Sequence, residues 1–210
     1  MDDRPLGIRA FGPEALLVEV PRGQAARWAR AITTELVGTT PAVEVVPAAA
    51  TVLVRLADRT HRGRATETIA ALRLAPEPPA ADGDEVVIPV VYDGVDLAEV
   101  AAAAGITTAE VVARHTDTVY TAEFLGFAPG FAYLTGLPEE LHLPRRATPR
   151  TRVPAGSVAI ADRYSAVYPG ASPGGWHLLG TAQRAVWDPQ RDPPALVTPG
   201  ARVRFEAVAR

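Results

Sequence analysis

Apolar positions in residues 1–74 follow two different periods. Residues 8–11 and 16–20 are short apolar runs bounded by glycine and proline, which predicts two strands. Between Gly23 and Val37, residues Ala25, Trp28, Ala29, Ile32 and Leu36 recur at the 3.6-residue spacing of a helix that buries one face. Residues 43–46 and 51–56 are β-branched and alternating, so a hairpin around residues 47–50 is expected. Thr60 is placed to cap a second helix, with Ile69 and Leu72 facing inward. The order ββαββα suits a small α+β domain with helices on one sheet face, and a ferredoxin-like layout is expected for residues 1–74.

The pattern breaks at residues 75–84, APEPPAADGD, where three prolines stand without apolar periodicity. Such a stretch is stiff and cannot build a core, so it reads as an interdomain linker. Beyond it, residues 85–92 predict a strand. Pro89 removes one ladder donor there, which places the strand at an edge or bulge. Asp96 opens a helix through Leu97, Val100 and Ala101 that Gly105 ends, and Thr107 with Glu110 has the spacing of a capping box. Residues 119–125 alternate as a strand. Residues 126–175 then carry seven glycines and seven prolines, which excludes long helices and regular inner strands and predicts the shaped loops of a small closed β-barrel. Val203-Arg204-Phe205, after Gly200, makes a last strand, so residues 85–210 form the second domain.

Composition narrows the chemistry. The 210 residues are 48% hydrophobic and 21% charged, an ordinary globular balance. Cysteine is absent, and all 21 basic residues are arginine. That inventory excludes disulfides, thiolate metal ligands, cysteine nucleophiles, a P-loop lysine and a Schiff-base lysine. A net charge of −3 argues against nucleic acid as a partner. No apolar run is long enough to span a membrane, and no signal segment follows Met1-Asp2-Asp3-Arg4, so a cytoplasmic location is expected. Charge is uneven: residues 85–140 hold nine acids and one arginine, residues 141–210 ten arginines and four acids. Such halves either face each other or leave some arginines for an anion site.

Candidate chemistry is sparse. His61, His115, His142 and His177 are scattered, so no metal site is expected. Ser172, in Ser172-Pro173-Gly174-Gly175-Trp176, is the nearest thing to an activated hydroxyl. The two glycines either expose amides to an anion or make a tight turn before a core Trp176. Arg145, Arg146, Arg150 and Arg152 surround Pro144 and Pro149, as a solvated face or as a two-pronged carboxylate or phosphate site. Glu123 interrupts an apolar strand face, so it sits at an edge in water or is buried against an arginine. Phe124, Phe127, Phe131 and Tyr133 interleave with glycine in an acidic stretch, which fits a barrel lip better than a base-stacking platform.

Several motifs then stand in order: Ile88-Pro89-Val90, Glu123-Phe124-Leu125-Gly126-Phe127-Ala128-Pro129-Gly130-Phe131-Ala132-Tyr133-Leu134, Pro144-Arg145 with Pro149-Arg150, Val153-Pro154-Ala155-Gly156-Ser157-Val158, Tyr168-Pro169, Ser172-Pro173-Gly174-Gly175-Trp176 and Pro199-Gly200. Together they resemble the family of 5-oxoprolinase B subunits, also described as KipI-like or allophanate hydrolase subunit 1. The resemblance implies a cyclophilin-like β-barrel over residues 85–210. It implies a chain that works with a homologous C subunit and a third subunit as an ATP-dependent 5-oxoprolinase, opening 5-oxoproline to glutamate. ATP then belongs to the complex, with no cofactor bound by this chain alone. Two alternatives go with the same family: an inhibitor of a sensor histidine kinase, and a urea carboxylase or allophanate hydrolase-type component. The motif positions Glu123, Pro129, Phe131, Tyr133, Arg145, Arg150, Tyr168, Ser172, Gly174, Gly175 and Trp176 are expected in one groove for a small-molecule substrate or a partner, with no catalytic residue assigned.

Overall fold

A computed structural model describes residues 4–36, 40, 42–74 and 85–209, and the chain divides into two units, 1–82 and 83–210. The stretch expected to link them, residues 75–84, lies outside the described residues.

In the first unit, strands β1 (Gly7–Ala10), β2 (Ala15–Glu19), β3 (Ala42–Pro47) and β4 (Thr51–Leu56) form an antiparallel sheet in the order β1-β2-β4-β3. Alternation puts Leu16 and Val18 of β2 on one face with Val52, Val54 and Leu56 of β4. Helix α1 (Ala25–Leu36) buries Ala25, Trp28, Ala29, Ile32 and Leu36 in the same cluster, the five positions with helical spacing. Helix α2 (Arg62–Ala71) adds Ala65 and Ile69, with Leu72 partly buried beside them. Its start differs from expectation. Asp58, in extended backbone, accepts from the Thr60 amide at 2.7 Å and caps a 3₁₀ turn (Arg59–His61) that runs into α2. Thr60 is thus capped, not capping. The ferredoxin-like layout is not confirmed: that arrangement opens β-α-β, whereas this unit opens with a hairpin.

The second unit is a closed seven-stranded barrel. Its strands are β5 (Val86–Val91), β6 (Val119–Leu125), β7 (Ala132–Thr135), β9 (Ser157–Ala161), β10 (Tyr164–Val167), β12 (His177–Ala182) and β13 (Arg202–Ala207). They run in the order β10-β7-β6-β13-β5-β12-β9. β8 (Arg150–Val153) and β11 (Ser172–Gly174) make a separate two-stranded ribbon. Helices α3 (Leu97–Ala104) and α4 (Thr108–Thr116) pack on each other and against β12 and β13. Gly105, at φ 68, ends α3, and the Thr107–Glu110 capping box opens α4. None of the described helices is long and apolar enough to cross a membrane.

Two strand expectations are overturned. Pro89 is not at an edge: β5 lies between β13 and β12, because a closed barrel has no edge. The Pro89 carbonyl accepts from the Gln183 amide at 2.8 Å, so only its donor is missing. Regular inner strands also form within residues 126–175, since all five residues of β9 are buried. The prolines and glycines occupy the connections, and the strand between them is covered on both sides. Val158 and Ile160 point into the barrel core with Ile88, Leu134, Leu179 and Phe205. Ala159 and Ala161 join a second cluster with Phe131, Tyr168, Trp176 and Leu178 on the other side of the wall.

A polar chain runs through the buried core. His115 is fully buried, with its Nδ1 2.7 Å from the Tyr92 hydroxyl and its Nε2 2.8 Å from Ser165 Oγ. Its ring lies on Phe205, centroids 4.5 Å apart. Burial pulls the His115 pKa down to about 3, so the ring is neutral.

Candidate functional site

The second apolar cluster carries a pocket of about 70 Å³ beside the β8–β11 ribbon, lined by Phe127, Phe131, Tyr133, Arg145, Tyr168, Pro173, Gly174, Gly175 and Trp176. Its walls are aromatic rings in edge-to-face contact: Phe131–Trp176 at 5.5 Å, Phe131–Tyr168 at 5.3 Å and Tyr133–Trp176 at 5.7 Å between centroids. Phe131, Tyr168 and Trp176 are buried, so these walls are rigid. Arg145 is exposed and makes no ion pair among the described residues. A depression of about 360 Å³ also touches Tyr168, lined among others by Gly156, Pro169, Gln183 and Arg184. Neither hollow has a carboxylate in its lining.

Tyr168 is the polar centre of the pocket. Its pKa is raised by burial, against the pull of the Trp176 amide and of the Arg145 and Arg150 charges. The phenol therefore stays protonated, and its hydroxyl can donate as well as accept. Gly174 makes this approach possible: a Cβ there would overlap the Tyr168 hydroxyl and stand 2.9 Å from Cζ. Phe127 forms the rim. It is 62% exposed at φ 71, in a γ-turn closed by the Ala128 amide on the Gly126 carbonyl at 2.9 Å. A positive φ is a strained state for a bulky side chain, so the fold holds this ring out against a local cost.

Under the pocket lies an ionic cluster. The Asp96 carboxylate is almost wholly buried and accepts from Arg146 Nη1 at 3.0 Å, Arg150 Nη2 at 2.6 Å and the Leu178 amide at 2.7 Å. Arg146 Nη1 also donates to Glu99 Oε2 at 2.6 Å. His177 donates from Nε2 to the Pro144 carbonyl at 3.0 Å. The acidic and basic halves of the domain therefore do meet here, through Asp96 and Glu99 on one side and Arg146 and Arg150 on the other.

A profile of the carboxyltransferase domain, subdomain C and D, matches residues 6–197. The chain belongs to this family. Three curated relatives, all 5-oxoprolinase B subunits, come from Escherichia coli O157:H7, Haemophilus influenzae and Bacillus subtilis. They are 54% identical over 121 residues, 45% over 126 and 42% over 125, so the motif resemblance is carried by sequence identity. The match covers 56%, 59% and 58% of this chain, and 56%, 59% and 52% of the relatives, so it spans little more than half of their length. Among solved structures, TTHA0988 superposes with a TM-score of 0.79 at 37% identity, over 97% of this chain and 41% of that one. The conserved uncharacterized protein PH0987 from Pyrococcus horikoshii matches at 0.59 and 29%, over 97% and 98% of the two chains. The Kluyveromyces lactis urea carboxylase, at 0.76 and 18% over 96% and 22%, shares the fold.

In this carboxyltransferase-family chain, the motif positions are brought together only in part. Phe131, Tyr133, Arg145, Tyr168, Gly174, Gly175 and Trp176 line the one pocket. Arg150 lies behind it on Asp96, and Pro129 is exposed in the turn after Phe127. Glu123 is elsewhere: buried at a β-bulge of β6, its carboxylate is 3.5 Å from Arg163 Nη2. Ser172 is in β11 and its Oγ has no hydrogen-bond partner, so no base activates it. Gly174 lies in strand β11, where its lack of a Cβ serves the Tyr168 contact, and Gly175 follows it in the pocket lining. Phe127 and Phe131 lie in the connection between β6 and β7, and Phe131 and Tyr133 pack in the second apolar cluster. Asp96 and Phe127 were not among the expected groove residues. Asp96 reads in sequence as a helix start, and only the charge asymmetry around it hints at a role for its carboxylate.

Proposed function

We propose that this chain is the B subunit of an ATP-dependent 5-oxoprolinase, acting with a homologous C subunit and a third subunit to open 5-oxoproline to glutamate. The observation that carries this reading is the shared name of three relatives at 42–54% identity. The opening adds one water across the lactam C–N bond, and the ATP it consumes is used by the complex. With no lysine in the chain, a P-loop lysine for phosphoryl chemistry has to come from a partner.

The pocket supports a composite site. A small-molecule site usually encloses about 300–1,000 Å³, whereas this pocket has about 70 Å³ and is open on the side of Phe127. A second chain closing over Phe127 completes it. Arg145 supplies an unpaired guanidinium for the substrate carboxylate, the Tyr168 hydroxyl a hydrogen bond to an acceptor oxygen, and Phe131 and Trp176 an apolar wall for the ring.

The test is reconstitution. Mixed with the two partner subunits, the chain gives 5-oxoproline-dependent ATP hydrolysis; alone it gives none. Arg145→Ala raises KM about tenfold or more with the fold intact, as expected for a lost charge-assisted contact. Turnover of 5-oxoproline by the purified single chain overturns the partner requirement, and no turnover by the full mixture overturns the substrate.

A further inference from the structure

Asp96 occupies the N-cap position of α3, where an aspartate ordinarily binds the free amides of the first turn. Here it makes no such bond. Its backbone is held in place instead: the Gly94 amide donates to Leu179 O at 3.0 Å and the Asp96 amide to Leu178 O at 3.2 Å, laying residues 94–96 along the irregular part of β12. The approach is close enough that a Cβ on Gly94 would overlap the Leu178 carbonyl. The carboxylate is thereby turned away from its own helix and under the pocket.

Each group that Asp96 holds is connected to a pocket residue. Arg146 follows Arg145 in the chain, and its amide donates to the Gly175 carbonyl at 2.8 Å. Arg150 pairs across the ribbon with Gly174, the residue that admits the Tyr168 hydroxyl. Leu178 lies two residues beyond Trp176. One buried carboxylate thus ties down the three stretches of chain that present Arg145, Gly174–Gly175 and Trp176, while touching none of those side chains itself. A helix that leaves its best cap unused is a local rule broken for a purpose elsewhere.

We propose that Asp96 is a positioning residue for the pocket, setting the placement of Arg145 and of the Tyr168–Trp176 wall through Arg146, Arg150 and the Leu178 amide. This role in catalysis rests on the 5-oxoprolinase reading; the role in pocket geometry does not.

The experiment uses Asp96→Ser, which restores a good helix cap but removes the carboxylate, with Asp96→Glu as the conservative variant. In the isolated full chain, the indole N–H resonance of Trp176 is identified by its loss in Trp176→Phe. Asp96→Ser shifts that resonance while those of Trp28 and Trp187 stay in place, and Asp96→Glu returns it part of the way. In the reconstituted complex, Asp96→Ser raises KM for 5-oxoproline between about ten- and a hundredfold, the scale of a misplaced binding group, with kcat changed much less. Should the serine variant fail to fold, the isosteric Asp96→Asn carries the same comparison. An unmoved Trp176 resonance in a folded variant overturns the proposal, as does an unchanged KM in an active complex. If the wild-type complex turns over no 5-oxoproline, the functional reading falls and the indole shift alone decides the role of Asp96.

Discussion

Gly174 and Phe127 show what single residues contribute to the pocket. Since a Cβ at position 174 would overlap the Tyr168 phenol, Gly174→Ala is expected to cost about 1–3 kcal/mol, the range for overpacking. Adding Tyr168→Phe, which deletes the overlapped oxygen, returns part of that loss, and a double-mutant cycle by urea unfolding measures the coupling. At Phe127 two effects oppose each other. Asparagine tolerates positive φ better than phenylalanine but gives up the ring's edge-to-face contacts with Phe131 and Tyr168, so Phe127→Asn should change stability by less than about 1 kcal/mol. The same variant weakens assembly with the partner subunits if the rim is part of their interface. A larger stability loss in urea would show that the ring supports the fold. Neither effect is legible in sequence: Gly174 stands in a Ser-Pro-Gly-Gly run that reads as a turn, and a phenylalanine carries no sign of its backbone angle.

Elements were more legible where their cause is local. The burial face of α1 and the capping box of α4 both follow from spacing along the chain, because neighbours in a helix are near in sequence. Thr107→Ala therefore removes a cap from α4 and should lower stability by about 1 kcal/mol in thermal unfolding. Thr60, expected to cap α2, lies instead inside a 3₁₀ turn that Asp58 caps, since both side chains can accept and only the backbone angle decides. Strands depended on what lay across from them. β9 is buried throughout because the barrel core covers one face and the aromatic cluster the other.

The element that brings His115 into the core also gives the molecule a pH dependence. In the folded chain His115 stays neutral down to about 3, against an ordinary value of 6.5 for the free side chain. As pH falls from 6.5 toward 3, the unfolded state takes up a proton that the folded state refuses. Stability is thus fully present above that window and lost as pH falls through it, by up to about 1.4 kcal/mol per pH unit. His115→Gln should flatten this slope in urea unfolding across the same window. An unchanged slope would place the acid sensitivity on other groups.

For the whole molecule, the two units and the charge halves make separate predictions. If residues 75–84 form a linker, mild proteolysis cuts there first and releases two folded pieces; first cuts within 126–175 would argue against it. The acidic and basic halves of residues 85–210 were visible as composition, and the open choice was whether they meet or leave an anion site. The first occurs: Arg146 and Arg150 are taken up by Asp96 and Glu99, while Arg145 beside them lines the pocket where the anion site is proposed.

By itself the sequence determined the burial face of α1, the capping box of α4, the break between two patterns, the acid–base asymmetry and the run of motifs that resembles a family. Those are properties of neighbours within a few positions, or of residue inventory. The tertiary structure decided that Pro89 stands inside a closed barrel, that the first unit's strands take the order β1-β2-β4-β3, and that Glu123 belongs to a bulge apart from the pocket. It also decided that Asp96 serves two arginines about fifty positions along the chain and not the helix it begins. Barrel closure and ion pairing join residues far apart in sequence, and which distant partner a side chain meets is fixed only when the chain has packed.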